Sequence, residues 1–211
     1  MKSSLFKFSV RDIAEIGVLC ALAVVFDKFV KIPLGQTGGS INIATIPLFM
    51  IAYRHGWFKG LISAGGVFGL ITCLLDGYGF QFFAFDYFIA FGCIGLAGLF
   101  GPMICKSFNK KGVINLIITI ALVVLTVAIY CVIRTLSASV DSMIFYEYAF
   151  WPSVVYNISY IGPSSGIVAV VLCLLLPVFK SINQMYPTTF LKDIIEDDEE
   201  ESKITEKEWN K

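Results

Sequence analysis

Long, nearly unbroken apolar blocks divide the chain, separated by short polar or glycine-rich stretches. A helix that crosses a bilayer needs about 20 apolar residues. Six stretches approach that length, at about 11–31, 41–54, 57–75, 82–105, 112–134 and 151–179. The second is short and carries Pro47, which predicts a broken or tilted segment. The third and fourth hold Gly65-x-x-x-Gly69 and Ala97-x-x-x-Gly101, small residues one turn apart that let membrane helices approach closely. Lys2, Lys7 and Arg11 precede the first block as they would precede a signal peptide. No small-residue cleavage site follows, so the block is read as a retained transmembrane helix. The predicted fold class is all-α, a polytopic membrane bundle of six transmembrane helices.

Composition supports this. The 211 residues are 57% apolar and 15% charged, with a mean hydropathy of +0.78, against about 45–50% and 25% for soluble domains. The zero net charge joins two unlike regions. Residues 1–190 carry a basic excess, whereas 191–211 carry Asp193, Glu196, Asp197, Asp198, Glu199, Glu200, Glu201, Glu206 and Glu208. The expected division is a membrane domain over 1–190 and an acidic, disordered tail over 191–211.

Placing the N-terminus inside puts Lys2, Lys7, Arg11, Arg54, Lys59, Lys106, Lys110, Lys111, Lys180 and Lys192 on the cytoplasmic side. Only Lys28, Lys31 and Arg134 then lie outside. That asymmetry predicts cytoplasmic termini and a multi-pass protein of the cell membrane. The outer face then holds Asp76, Asp86, Asp141, Glu147 and most of the aromatic cluster between Tyr146 and Tyr160. The glycine-bearing loop from Pro33 to Ser40 suits a lid. The inner halves of the helices offer almost no polar path, which argues against a channel. No basic cluster on a soluble fold points to nucleic acid.

Catalytic and metal chemistry find no residue set. The six cysteines lie in apolar runs without C-x-x-C spacing, and His55 alone cannot build a zinc site. There is no G-x-S-x-G, no H-E-x-x-H and no Walker lysine loop, so neither an enzyme nor a cofactor is expected.

The polar residues inside apolar runs are the candidates for binding. Asp86, in Q-F-F-A-F-D-Y-F, reads either as a counter-ion for a cationic ligand or as a carboxylate at a helix N-terminus. Asn157 lies between Tyr156 and Tyr160. Its amide suits the edge of a heteroaromatic ring, or an interhelical hydrogen bond. Tyr146, Tyr148, Phe150 and Trp151 fit a cation-attracting cage or an interfacial belt, and the belt is the better account of Tyr148 and Phe150. On the first helix Gly17-x-x-x-Ala21, with Ala23, forms a small-residue groove for internal packing or for a partner helix.

The order of these motifs resembles the ThiT family, the thiamine-specific substrate-binding subunits (S components) of energy-coupling factor (ECF) transporters. The resemblance rests on Gly38–Ile41, a proline in the second segment, Arg54-x-Gly56, and Asp86-Tyr87 followed by Ala90–Gly98. Arg134, Phe145–Ala149 and Tyr156–Tyr160 continue it, over residues 11 to 180. It implies a site near the outer face for thiamine or a related small cationic heterocycle. It also implies partners, a transmembrane coupling protein and a pair of cytoplasmic ATPases, with Gly17 and Ala21 at the docking groove. The binding residues it implies are Asp86, Tyr87, Ser142, Tyr146 and Asn157, with Trp151 beside a position where the family carries tyrosine. Ala138 stands where the family has histidine, and the first outer loop lacks the expected tryptophan. A thiamine precursor or another vitamin therefore remains open as ligand, as does a non-transporting membrane scaffold.

Overall fold

A computed structural model of the chain describes residues 5–33, 39–109 and 112–194. The middle of the expected lid (34–38) and the acidic tail beyond 194 lie outside the described residues.

The first helix, α1 (Val10–Phe29), starts on a capping box. Ser9 Oγ accepts from the Asp12 N–H at 3.1 Å and the Asp12 carboxylate accepts from the Ser9 N–H at 3.3 Å. Asp12, Ile16, Cys20 and Ala23 form its buried face. Ile13, Gly17, Val18, Ala21, Leu22 and Val25 line the exposed one. A short antiparallel hairpin follows, β1 (Lys31–Pro33) against β2 (Ser40–Asn42), with Ile32 opposite Ile41.

Helix α2 (Thr45–Asp76) is helical throughout except at Gly56, whose φ of 84° and ψ of 174° reverse the chain. The two arms pack together at Gly60, where an added Cβ would sit 3.0 Å from Ala52. Asp76, at the far end, returns to within 2.5 Å of Lys28 Nζ. The break is therefore at Gly56 and not at Pro47. Pro47 lies in the first turn, where backbone N–H groups have no intrahelical acceptor, so its missing donor costs nothing. The arm before Gly56 is short of a bilayer, since 11 residues at about 1.5 Å each reach little beyond half of about 30 Å.

Helix α3 (Phe80–Leu99) departs from α geometry twice, with a π stretch at Phe83–Ile89 and a 3₁₀ stretch at Cys93–Leu99. The second follows from the glycines at 92, 95, 98 and 101. A 3₁₀ helix has three residues per turn, so a period of three stays on one line. That line lies on the backbone of α2. A Cβ on Gly95 would be 2.6 Å from Leu61 N, on Gly98 2.4 Å from Trp57 N, and on Gly101 2.7 Å from Tyr53 O. Gly65 and Gly69 meet α3 in the same way, at the carbonyls of Phe88 and Tyr87. Both small-residue motifs thus serve close backbone packing.

Helix α4 (Gly101–Asn109) leads to two long helices, α5 (Val113–Tyr146) and α6 (Phe150–Met185). Among the described residues α2, α3, α5 and α6 are long and apolar enough to cross a membrane. All six cysteines are free, and the described residues hold no cluster suited to a metal.

The two described chain ends meet at one end of the bundle, opposite the hairpin. Residues 189–194 form a helical turn whose Phe190, Leu191 and Ile194 are buried. Here the expectation of apolar helix interiors fails. Lys59 Nζ donates to Asp12 Oδ2 at 2.9 Å, and Thr189 Oγ1 donates to the same oxygen at 2.7 Å. Arg54 pairs with both Glu15 oxygens, at 2.5 and 3.1 Å, and also donates to Asn183 Oδ1 and the Tyr186 carbonyl. His55, fully buried, lies 3.6 Å from Asp12 Oδ1 and 3.5 Å from Glu15 Oε1. Arg54 and Lys59 thus belong to a buried ionic cluster that ties α1, α2 and the C-terminal turn together.

Candidate ligand site at the hairpin end

Polar side chains gather at the opposite end, where the hairpin meets α2, α5 and α6. A cavity there is lined by Ser40, Asn42 and Thr45 from the hairpin side, Tyr130 and Arg134 from α5, and Tyr160, Ile161, Ser164 and Ser165 from α6. Its volume is about 10 Å³, room for roughly one water. The hairpin is fastened over it. The Asn42 N–H donates to Ser164 Oγ at 3.2 Å, and Gly39 lies so near the Tyr160 ring that a Cβ would be 2.8 Å from it. The buried Ser165 hydroxyl has no hydrogen-bond partner among the described residues.

Arg134 is the cation that lines the cavity. Its guanidinium lies over the Phe91 ring at 4.3 Å, donates to the Tyr130 hydroxyl, and interacts electrostatically with Asp86 and Tyr160. Such stacking holds a guanidinium where apolar walls surround it.

Asp86 sits half-buried in the π stretch of α3, a distortion that is frequent at functional sites. It interacts electrostatically with Arg134 and with Asp76. Its neighbour Tyr87 turns elsewhere. The Tyr87 ring is buried and its hydroxyl donates to Asp76 Oδ2 at 2.9 Å, while Lys28 bonds Asp76 and pairs with Asp27 at 3.3 Å. Tyr87 thereby joins α3 to α1 and α2.

Asn157 is 3% exposed and fully engaged. Its amide donates to the Ser153 carbonyl at 2.9 Å and to Ser139 Oγ at 3.5 Å, and its oxygen accepts from the Tyr160 hydroxyl at 2.5 Å. It thus sets the position of a ring that lines the cavity. Tyr146 stacks on Phe82, centroids 5.8 Å apart, and on Tyr148 at 6.0 Å. Ser142 donates to the Ala138 carbonyl at 2.9 Å, and its own carbonyl accepts from the Tyr148 N–H at the end of α5. Trp151 is 73% exposed, meets Phe150 edge-on, and does not line the cavity. At α1, Gly17 has open space around it and Ala21 is exposed.

Against known proteins, residues 13–184 match the thiamine transporter protein family. The thiamine transporter ThiT of Bacillus subtilis (strain 168) is 33% identical over 180 residues, covering 76% of this chain and 88% of that one. The chain belongs to the thiamine transporter protein family. It is therefore a multi-pass transport protein of the bacterial plasma membrane and not an enzyme. The fold agrees with a structure of ThiT from Listeria monocytogenes, at a TM-score of 0.65 and 22% identity over 80% of this chain and 94% of that one.

The expected site residues split into two groups. Asp86 and Tyr146 lie along α3 and α5, while Asn157 bonds Tyr160, which lines the cavity. Tyr130, Tyr160, Ser139, Ser153 and Asp141 were not among the expected site residues. The hydroxyls carry no distinctive spacing in a chain rich in serine and tyrosine. Asp141 had a signal, a carboxylate in an otherwise uncharged stretch after Arg134.

Proposed function

We propose that this chain is the thiamine-binding S component of an ECF-type importer, with an outward-facing site at the hairpin end. In this reading the bundle has six membrane segments, counting the two arms of α2 separately, and both termini are cytoplasmic. The meeting of the two chain ends and the lysine and arginine asymmetry support that orientation. Asp86 supplies charge to a cationic heterocycle, Tyr146 a face to stack on, and Asn157 holds Tyr160 against it. Arg134 acts on Asp86 electrostatically from α5. The exposed groove at Gly17 and Ala21 receives the coupling protein, and a pair of cytoplasmic ATPases supplies the energy.

The family match carries this reading, and a carboxyl and a guanidinium that interact electrostatically in an apolar surround give it chemistry. The small cavity requires the hairpin to open for a ligand to enter. The test is calorimetric titration of thiamine into the purified chain and into Asp86→Asn. The variant is expected to bind about 10- to 100-fold more weakly, the loss of one charge-assisted contact. A wild-type chain that binds a thiamine precursor or another vitamin, and not thiamine, would overturn the substrate. Copurification with ATPases separates a transporter subunit from a scaffold.

A further inference from the structure

Asp141 is 5% exposed, and its Oδ1 has no hydrogen-bond partner among the described residues. A buried carboxylate oxygen without a donor is costly unless something else meets it. The surroundings of Asp141 are fixed by its neighbours on α5. One turn before it, the Ser137 hydroxyl donates to the Phe85 carbonyl of α3. One turn after it, the Phe145 ring meets Phe82 of α3 at 4.7 Å. Positions 137, 141 and 145 share one helix face, so Asp141 is held between these contacts against the stretch of α3 that ends in Asp86. Asp86 and Asp141 interact electrostatically, and Tyr146 interacts with both.

Asp27 and Asp76 share Lys28, and Asp86 interacts electrostatically with Arg134. Asp141 has no basic partner among the described residues. The seam between α3 and α5 is left with a buried carboxyl whose Oδ1 meets no donor, one turn before Phe145.

We infer that Asp141 is a specificity-determining residue, a second carboxylate that pairs with Asp86 to select a ligand with a fixed positive charge. This rests on the thiamine-binding reading above and says which part of the ligand the seam reads. Asp86 shares its surroundings with Arg134, so discrimination between a monocation and a neutral isostere falls on both carboxyls. Asp141 adds the second one, and its unpartnered Oδ1 is the oxygen that a ring cation would face. Ala138, one turn before it on α5, leaves that space free of a competing base.

The experiment uses two probes, thiamine and an isostere whose thiazolium ring is replaced by uncharged thiophene. Both are titrated calorimetrically into the full chain and into Asp141→Asn, and thermal unfolding is followed with and without thiamine. Asp141→Asn is expected to bind thiamine at least about tenfold more weakly and the neutral isostere unchanged. Without ligand it should melt at or above the wild-type temperature, because burying a carboxyl oxygen without a donor costs more than burying an amide. A structural role would lower that temperature instead. Wild-type affinity for thiamine in the variant, or equal losses for both probes, would overturn the inference and leave the substrate reading intact. A wild-type chain that binds neither probe would overturn both.

Discussion

Lys59 Nζ lies 2.9 Å from Asp12 Oδ2, and neither side chain is more than 1% exposed. The pair joins α1 to α2 beside the C-terminal turn, and Thr189 bonds the same carboxylate. Breaking a buried pair from one side leaves an uncompensated charge and costs about 3–5 kcal/mol. Lys59→Met should therefore lose most of that amount in chemical unfolding in detergent. The double variant Asp12→Leu/Lys59→Met should recover a large part. A single variant as stable as the wild type would mean that the pair is not closed in the protein.

Gly98 has no room for a methyl group. An added Cβ would lie 2.4 Å from Trp57 N and 2.5 Å from the Gly56 carbonyl carbon, both backbone atoms that cannot swing aside. Gly66, also helical, has nothing nearer than 3.9 Å. Gly98→Ala should destabilise by about 1–3 kcal/mol through overpacking, whereas Gly66→Ala should be neutral or slightly stabilising. Equal unfolding midpoints for the two variants would refute the close approach of α3 to α2.

The apolar blocks announced the helices, and the small-residue motifs announced where they touch, because both depend on properties local to a few residues. Events that depend on tertiary contacts were less visible. Pro47 looked like the breaker, yet a proline in a first turn is harmless, and the reversal occurs at Gly56. Arg54 and Lys59 were counted only as cytoplasmic-side charges, because their partners Asp12, Glu15 and Asn183 are distant in sequence. The fifth apolar block was expected to end at Arg134, before Ser137, Ser139, Asp141 and Ser142. It continues to Tyr146 because those hydroxyls bond carbonyls of their own helix or of Phe85. The carboxylate and amide of the candidate site stood out because each interrupts an apolar run. Their partners Arg134 and Tyr160 are set by how α5 and α6 pack.

Asn157 joins α5 to α6 through Ser139 and steadies Tyr160. Hydrogen bonds between membrane helices contribute about 0.6 kcal/mol on average, so Asn157→Ala should lower stability little. Its effect on thiamine affinity should be larger, about tenfold, because Tyr160 loses its anchor. Ser139→Ala, which removes the longer of the two amide contacts, should leave affinity near wild type. A clear loss of stability in Asn157→Ala with unchanged affinity would assign the amide to helix packing alone.

Gly17 tests the outer face of α1. A Cβ there would meet nothing within 4 Å, and Ala21 one turn on is exposed as well. An isolated subunit should therefore tolerate a large residue at this position, and the helix should gain slightly from losing glycine. Gly17→Leu is expected to keep its unfolding midpoint and its affinity for thiamine. If a coupling protein packs its own helix into this groove, the added side chain fills the space that close approach requires. Copurification of the ATPase pair should then fall away while vitamin binding persists. Retention of the ATPases by Gly17→Leu would place the docking surface elsewhere on the bundle. Loss of binding and assembly together would show that the groove packs within the subunit.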